Sequence, residues 1–162
     1  GGGNDRLFGE AGDDDIFADG GNDMLNGGAG NDDLYGGSGN DGFFGGGGAD
    51  RIFGQSGNDH MFGDGGNDTI TGGTGDDILV GGSGADTFVF DMDGSTDTVT
   101  DFNAGAGDVL QVSAPSGTTA ADLIANAIQD GTTTVITLDA TTTIRLDGVT
   151  IADLTPTDFW IV

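Results

Sequence analysis

Ten aspartates stand at strict nine-residue intervals in the first half of the chain: Asp5, Asp14, Asp23, Asp32, Asp41, Asp50, Asp59, Asp68, Asp77 and Asp86. Carboxylates in a fixed pattern can move protons or bind cations. Proton transfer needs carboxyls in unlike surroundings, one tuned as acid and another as base. Here the surroundings repeat. Two residues before each aspartate is a glycine (Gly3, Gly12, Gly21, Gly30, Gly39, Gly48, Gly57, Gly66, Gly75 and Gly84), and two residues after it is an apolar side chain. Many like carboxylates beside flexible turns suit a hard cation such as calcium, which takes about six to eight oxygens from carboxylates and backbone carbonyls.

The elements that must position these carboxylates follow from the unit, G-G-x-G-x-D-x-U-x with U apolar. Its glycine-rich six residues read as a turn, because glycine accepts the positive φ that other residues avoid. The remaining x-U-x reads as a three-residue strand. One unit is half a coil, so successive units alternate between two facing parallel sheets. The U residues Leu7, Ile16, Leu25, Leu34, Phe43, Ile52, Met61, Ile70, Leu79 and Phe88 form the narrow core between them. Units 18 residues apart stack at about 4.8 Å, which places Asp5, Asp23, Asp41, Asp59 and Asp77 on one edge and the other five on the opposite edge. Stacked carboxylates repel unless a cation lies between them. Five turns per edge leave room for about eight calcium ions.

Composition agrees. The 162 residues carry 35 glycines, 28 acidic residues, three arginines and no cysteine, for a formal charge of −25. That charge excludes nucleic acid and anionic membranes as electrostatic partners. The lack of cysteine excludes disulfides, thiolate zinc sites and a thiol nucleophile. No apolar run is long enough for a transmembrane segment. The chain opens at Gly1 inside the pattern and without Met, so it reads as a fragment of a larger protein whose upstream domain is a further partner.

The repeat closely resembles the RTX (repeats-in-toxin) nonapeptide family, a calcium-binding parallel β-helix, over residues 1 to about 90. The fold class expected is all-β: a parallel β-roll (right-handed β-helix of nonapeptide repeats) over residues 1–90, then a β-rich C-terminal cap with one short helix over 91–162. Ala18 replaces the first glycine of one unit, and Glu10, Asp19, Gln55 and Asp64 replace the second glycine of four units, Asp19 in the same unit as Ala18. These replacements are expected to loosen single turns. Asn4, Asn22, Asn31, Asn40, Asn58 and Asn67 precede six of the aspartates and read as turn residues. Ordering a glycine-rich chain is costly and its core is thin, so the repeats are expected to be largely unfolded without calcium and folded with it.

After Phe90 threonine replaces glycine. Asp97–Ser113 reads as two strands about a glycine-rich turn. Residues 119–129 read as a short helix with an apolar stripe of Leu123, Ile124, Ala127 and Ile128, followed by strands near 132–139 and 141–149. The segments Asp-Thr-Phe-Val-Phe90, Asp97-Thr-Val-Thr-Asp-Phe102, Gly107-Asp-Val-Leu110 and the terminal Asp158-Phe-Trp-Ile-Val162 resemble the C-terminal cap behind serralysin-type proteases. This resemblance implies further calcium at the junction, on Asp97, Asp101 and Asp108. Read alone, those residues serve equally as turn and strand-end groups. It also implies that the terminal residues are an uncleaved type I secretion signal, with the type I secretion machinery as partner and a secreted or cell-surface bacterial location. An ordinary last strand is the other reading of the same residues.

Catalytic motifs are absent. Gly37–Gly42 matches G-x-G-x-x-G only as a phase of the repeat, and Asp91–Asp97 misplaces the glycine of an EF-hand loop. His60 is the lone histidine. The chain is expected not to be an enzyme but a calcium-binding module that folds after export and stabilises or caps a larger protein. Two other roles fit the pattern: a surface-layer or adhesin module, or the tail of a secreted protease, lipase or epimerase. Residues flanking U point outward, and the sheet bearing Phe8, Met24, Phe44, Phe62, Ile78 and Val80 is expected to be the more apolar. That face either docks a partner or forms an aromatic ladder that stabilises the sheet.

Overall fold

A nine-residue period needs two units to return to the same side, and that arithmetic governs the architecture. The computed structural model describes residues 1–162 and contains sixteen strands and one helix. The repeats supply β1 (Arg6–Ala11), β2 (Asp15–Phe17), β3 (Met24–Ala29), β4 (Asp33–Ser38), β5 (Gly42–Gly47), β6 (Arg51–Ser56), β7 (His60–Gly65), β8 (Thr69–Thr74), β9 (Ile78–Val80) and β10 (Thr87–Phe90). Beyond them lie β11 (Thr96–Val99), β12 (Val109–Val112), α1 (Ala120–Asn126), β13 (Ile128–Asp130), β14 (Thr133–Thr137), β15 (Thr143–Asp147) and β16 (Phe159–Ile161).

Odd and even strands separate into two sheets. One runs β1-β3-β5-β7-β9-β11-β15-β14-β13 and the other β16-β12-β10-β8-β6-β4-β2. Pairing in the repeats is parallel with an 18-residue register, Leu7 opposite Leu25 and Leu34 opposite Ile52. The result is an all-β parallel solenoid of about six turns with one short helix. Leu25, Leu34, Phe43, Ile52, Met61, Ile70, Leu79 and Phe88 are fully buried between the sheets, whereas Leu7 in the first coil is only partly covered.

Most repeat strands are six residues long rather than three. Pairing resumes past the first glycine of each unit, as in Gly28 opposite Gly46 and Gly37 opposite Gln55. The turn is correspondingly tighter. Its second and fourth positions carry the left-handed backbone, φ 106° at Gly28 and 138° at Gly30. Glu10, Asp19, Gln55 and Asp64 adopt the same hand at φ 69–75°, and Glu10, Gln55 and Asp64 keep the strand register. These substitutions therefore strain the turn rather than loosen it, since a left-handed L-residue costs about 1–2 kcal/mol.

Both sheets run past residue 90 without a break. In one, β10, β12 and β16 pair in parallel; in the other, β9, β11 and β15 do the same, and β15-β14-β13 complete it antiparallel. Helix α1 closes this end, packing on β14 and β16 with Leu123 buried. Thr119 and Asp122 form its capping box. The helix is shorter than expected. It stops at Asn126, and Ile128 enters β13 with its side chain exposed. The β13–β14 hairpin about Gly131, at φ 64°, satisfies the backbone of residues 128–130 through pairing that one more helical turn would forfeit.

Candidate metal-binding columns

Each repeat aspartate sits where a tight turn meets a strand, so 18-residue stacking fixes its side chain against the neighbouring coil. One carboxylate oxygen, Oδ1, accepts the backbone N–H of the aspartate one coil earlier. On one edge Asp23 accepts from Asp5 (2.7 Å), Asp41 from Asp23 (2.7 Å), Asp59 from Asp41 (2.7 Å) and Asp77 from Asp59 (2.8 Å). On the other Asp32 accepts from Asp14, Asp50 from Asp32 and Asp68 from Asp50, each at 2.8 Å, and Asp86 accepts from Asp68 (2.9 Å).

The second oxygen is different. Oδ2 of Asp14, Asp23, Asp32, Asp41, Asp50, Asp59, Asp68, Asp77 and Asp86 is buried and has no hydrogen-bond partner. Nine orphaned carboxylate oxygens in one small protein are far outside the usual pattern of buried polar groups. Eight of them, all but that of Asp23, face space kept open by the first glycine of the unit. A Cβ at Gly45 would lie 2.5 Å from Asp50 Oδ2 and 2.7 Å from the carbonyl oxygen of Gly63 in the next coil. One at Gly63 would lie 2.5 Å from Asp68 Oδ2 and 2.6 Å from the Gly81 carbonyl oxygen. A carboxylate oxygen and a backbone carbonyl thus converge at turn after turn.

Electrostatics reinforce the point. Burial pushes the carboxyls of Asp41, Asp50 and Asp86 up, and drives Asp59 to about 6, Asp68 to about 7 and Asp77 to about 8. Hydrogen bonds from the neighbouring backbone oppose the shift, and the stacked carboxylates add to it. The protein thus holds these groups where their negative charge is disfavoured unless a cation offsets it. No group of three or more acidic, histidine or cysteine side chains gathers at one metal site. The available donor set is carboxylate plus turn carbonyl oxygen, which matches the hard-cation preference of calcium and not that of zinc. The residues fit calcium.

The ten glycines two residues before the aspartates all have positive φ, 115–144°. From Gly21 onward a side chain there would also strike the preceding coil, as at Gly48 against the Gly30 carbonyl oxygen. They let the coils approach closely.

The three cap aspartates separate. Asp97 and Asp108 continue the two columns: Asp97 Oδ1 accepts the Asp77 N–H (3.1 Å) and Asp108 Oδ1 the Asp86 N–H (3.0 Å). Burial and the neighbouring Asp77 backbone act on Asp97 in opposite senses, with burial prevailing, and its carboxyl rises to about 7. Asp101 stands outside the columns. Its two oxygens accept the backbone N–H groups of Gly81 (3.0 Å) and Gly82 (2.8 Å), so it takes the place of a strand partner where the repeat ends.

Sequence reasoning missed a second ladder. Asn4 accepts the Asn22 N–H, Asn22 that of Asn40, and Asn40 that of Asn58, each at 3.0 Å. On the other edge Asp13 and Asn31 accept from Asn31 and Ala49, and Asn67 from Ala85. These side chains tie coil to coil in the direction opposite to the aspartates, rather than shaping their own turns. Their 18-residue recurrence was the available signal.

Both outer faces carry stacked aromatic rings. Phe17, Tyr35 and Phe53 stack on the even sheet at 4.7 and 4.9 Å between ring centroids, and Phe44 and Phe62 on the odd sheet at 5.3 Å. The longer aromatic ladder therefore lies on the even sheet, where the 18-residue register aligns three rings.

Comparisons with known proteins agree with this geometry. The family model for the RTX calcium-binding nonapeptide repeat (four copies) matches residues 1–25, 17–52, 26–61, 35–70 and 53–88. Among solved structures, the extracellular lipase LipA from Serratia marcescens superposes with a TM-score of 0.59 at 20% identity, over 99% of this chain and 38% of the lipase. The AlgE6R2 subunit of the Azotobacter vinelandii mannuronan C5-epimerase superposes with a TM-score of 0.54 at 28% identity, over 81% of this chain and 88% of that subunit. No curated protein matches significantly in sequence.

Proposed function

The chain belongs to the RTX calcium-binding nonapeptide repeat family, and from that premise we propose that it is a non-catalytic folding module of a larger exported bacterial protein. Residues 1–90 act as the calcium-loaded roll and residues 91–162 as the cap that ends it. The observation that carries this reading is the row of nine buried, unpartnered aspartate oxygens. Calcium, when bound, supplies the positive charge that lets those oxygens remain ionised inside the fold. The repeat aspartates, with Asp97 and Asp108 extending each column by one turn, would hold about eight to ten ions together with turn carbonyls. Asp101 would take no part, since it stands outside the two columns, on the Gly81 and Gly82 N–H groups.

The function is a switch between an unfolded, exportable chain and a folded one. Without calcium the buried carboxylates oppose folding, and glycine leaves the unfolded chain a large entropy to lose. With calcium, binding free energy becomes folding free energy. A cytosol poor in calcium would keep the chain threadable and a calcium-rich exterior would fold it. The terminal segment Asp158–Val162, the last strand of one sheet in the folded state, would serve the type I secretion machinery before folding.

Far-UV circular dichroism with and without excess EGTA tests the switch. The strand spectrum is expected only with calcium, and its persistence in EGTA overturns the reading. Deleting residues 158–162 is expected to abolish export from a host carrying a type I exporter.

A further inference from the structure

Ten copies of one unit act as internal controls for one another, and one copy breaks the rule at the first glycine. Gly9, Gly27, Gly36, Gly45, Gly54, Gly63, Gly72 and Gly81 occupy that position in eight units, and Ala18 occupies it in the unit of Asp23. Nothing in the backbone demands glycine there, since none of these eight has a positive φ. The demand is for space. At every one of the eight, a Cβ would collide with Oδ2 of the aspartate five residues on: 2.7 Å at Gly9 and 2.5 Å at Gly45 and Gly63, with the same partner at the rest. At most of them it would also meet a carbonyl oxygen of the next coil, as at Gly9 against Gly27 O (2.5 Å) and Gly63 against Gly81 O (2.6 Å).

Ala18 places a methyl group at this position and is only 1% exposed. Strand β2 stops at Phe17, as β9 stops at Val80, and Gly20 then pairs with Gly2 and Ser38 as isolated bridges. Asp23 itself keeps its ladder bond, accepting the Asp5 N–H at 2.7 Å. The column of carboxylates is therefore intact at this level and Asp23 Oδ2 is buried and unpartnered like the others, but a methyl group stands where the other units carry glycine.

We infer that Ala18 closes the cation cradle at Asp23, so that this turn is the one repeat site that does not load calcium. The inference rests on the calcium-binding reading above and refines it. Its consequence is mechanical. The first coil, residues 1–22, is tied to the rest of the roll by calcium along the Asp14–Asp32 edge only, and is the last part of the roll to order. Its thin cover agrees: Phe8 and Phe17 are 63% and 59% exposed, and Leu7 is the least enclosed of the core residues.

The test is calcium stoichiometry by native mass spectrometry, with hydrogen exchange of residues 1–22 at saturating calcium. Ala18→Gly is expected to bind one more ion than the parent and to slow exchange in the first coil by about tenfold or more. Gly45→Ala, which builds the same obstruction at Asp50, is expected to bind one ion fewer. Unchanged stoichiometry and unchanged exchange in Ala18→Gly overturn the inference even if Gly45→Ala fails to fold. A parent protein that binds no calcium instead overturns the calcium reading itself, and the two failures are distinct.

Discussion

The Asp108 carboxylate accepts the backbone N–H of Asp86 at 3.0 Å, 22 residues back along the chain, where every bond of that column inside the repeats spans 18. The cap thus prolongs the repeat's hydrogen-bond column after the repeat itself has ended. Asp108 also accepts the Asn103 N–H at 2.8 Å and is 5% exposed. Asp108→Ala leaves two backbone donors without their acceptor and is expected to cost about 1–3 kcal/mol. Hydrogen exchange at calcium saturation should show the loss concentrated near Asp86 and Asn103. A uniform loss across the roll contradicts a local role.

Asp101 makes a contrasting prediction. Its oxygens hold the Gly81 and Gly82 N–H groups, so Asp101→Ala should destabilise the junction by a similar about 1–3 kcal/mol. The number of bound calcium ions should stay the same. Asp97→Ala, by comparison, should lower it by one. Titration of both variants with isothermal calorimetry separates the two roles, and a lost ion in Asp101→Ala refutes the assignment.

Acid should partly replace calcium. The carboxyls of Asp59, Asp68, Asp77 and Asp97 are raised from 3.8 to about 6, 7, 8 and 7 in the metal-free fold, chiefly by burial. A group whose folded pKa lies above its unfolded value adds stability below the unfolded pKa and loses it as pH rises through the folded one. The metal-free roll is therefore expected to gain strand structure as pH falls from about 8 towards 4, and calcium affinity should weaken over the same range as protons compete. Circular dichroism in EGTA across that window checks the sign; a signal that only falls with acidification is the contrary result.

Most of the fold was legible because one period controls it. The U column Leu25 to Phe88, the two sheets and the two aspartate edges all follow from nine residues per half coil, and the structure buries every one of those side chains from Leu25 onward. What the period does not encode was harder to read. The six-residue strands depend on backbone pairing at Gly28 and Gly46, which carry no side chain to signal it. The early end of α1 depends on a hairpin partner, Ile128 opposite Val135, that local helical spacing cannot sense. Asp97, Asp101 and Asp108 look alike in sequence, and only the coil each one faces separates a column carboxylate from a strand-end acceptor.

The stacked rings of the even sheet form a ladder along its outer face. Tyr35 lies between Phe17 and Phe53 with interplanar angles of 3° and 6°, so each of its faces is covered by a neighbour and only ring edges reach solvent. Stacked pairs contribute about 0.5–1.5 kcal/mol each beyond burial. Tyr35→Ser removes two of them and is expected to cost about 1–3 kcal/mol, raising the calcium concentration needed for half-folding. Calcium stoichiometry and solution size should not change if the ring acts within its own sheet, where it stacks on Phe17 and Phe53. Light scattering alongside a calcium titration checks both halves of this expectation. If Tyr35→Ser leaves the titration midpoint in place and instead reduces the molecular mass in solution, the ladder serves assembly rather than the stability of its own sheet.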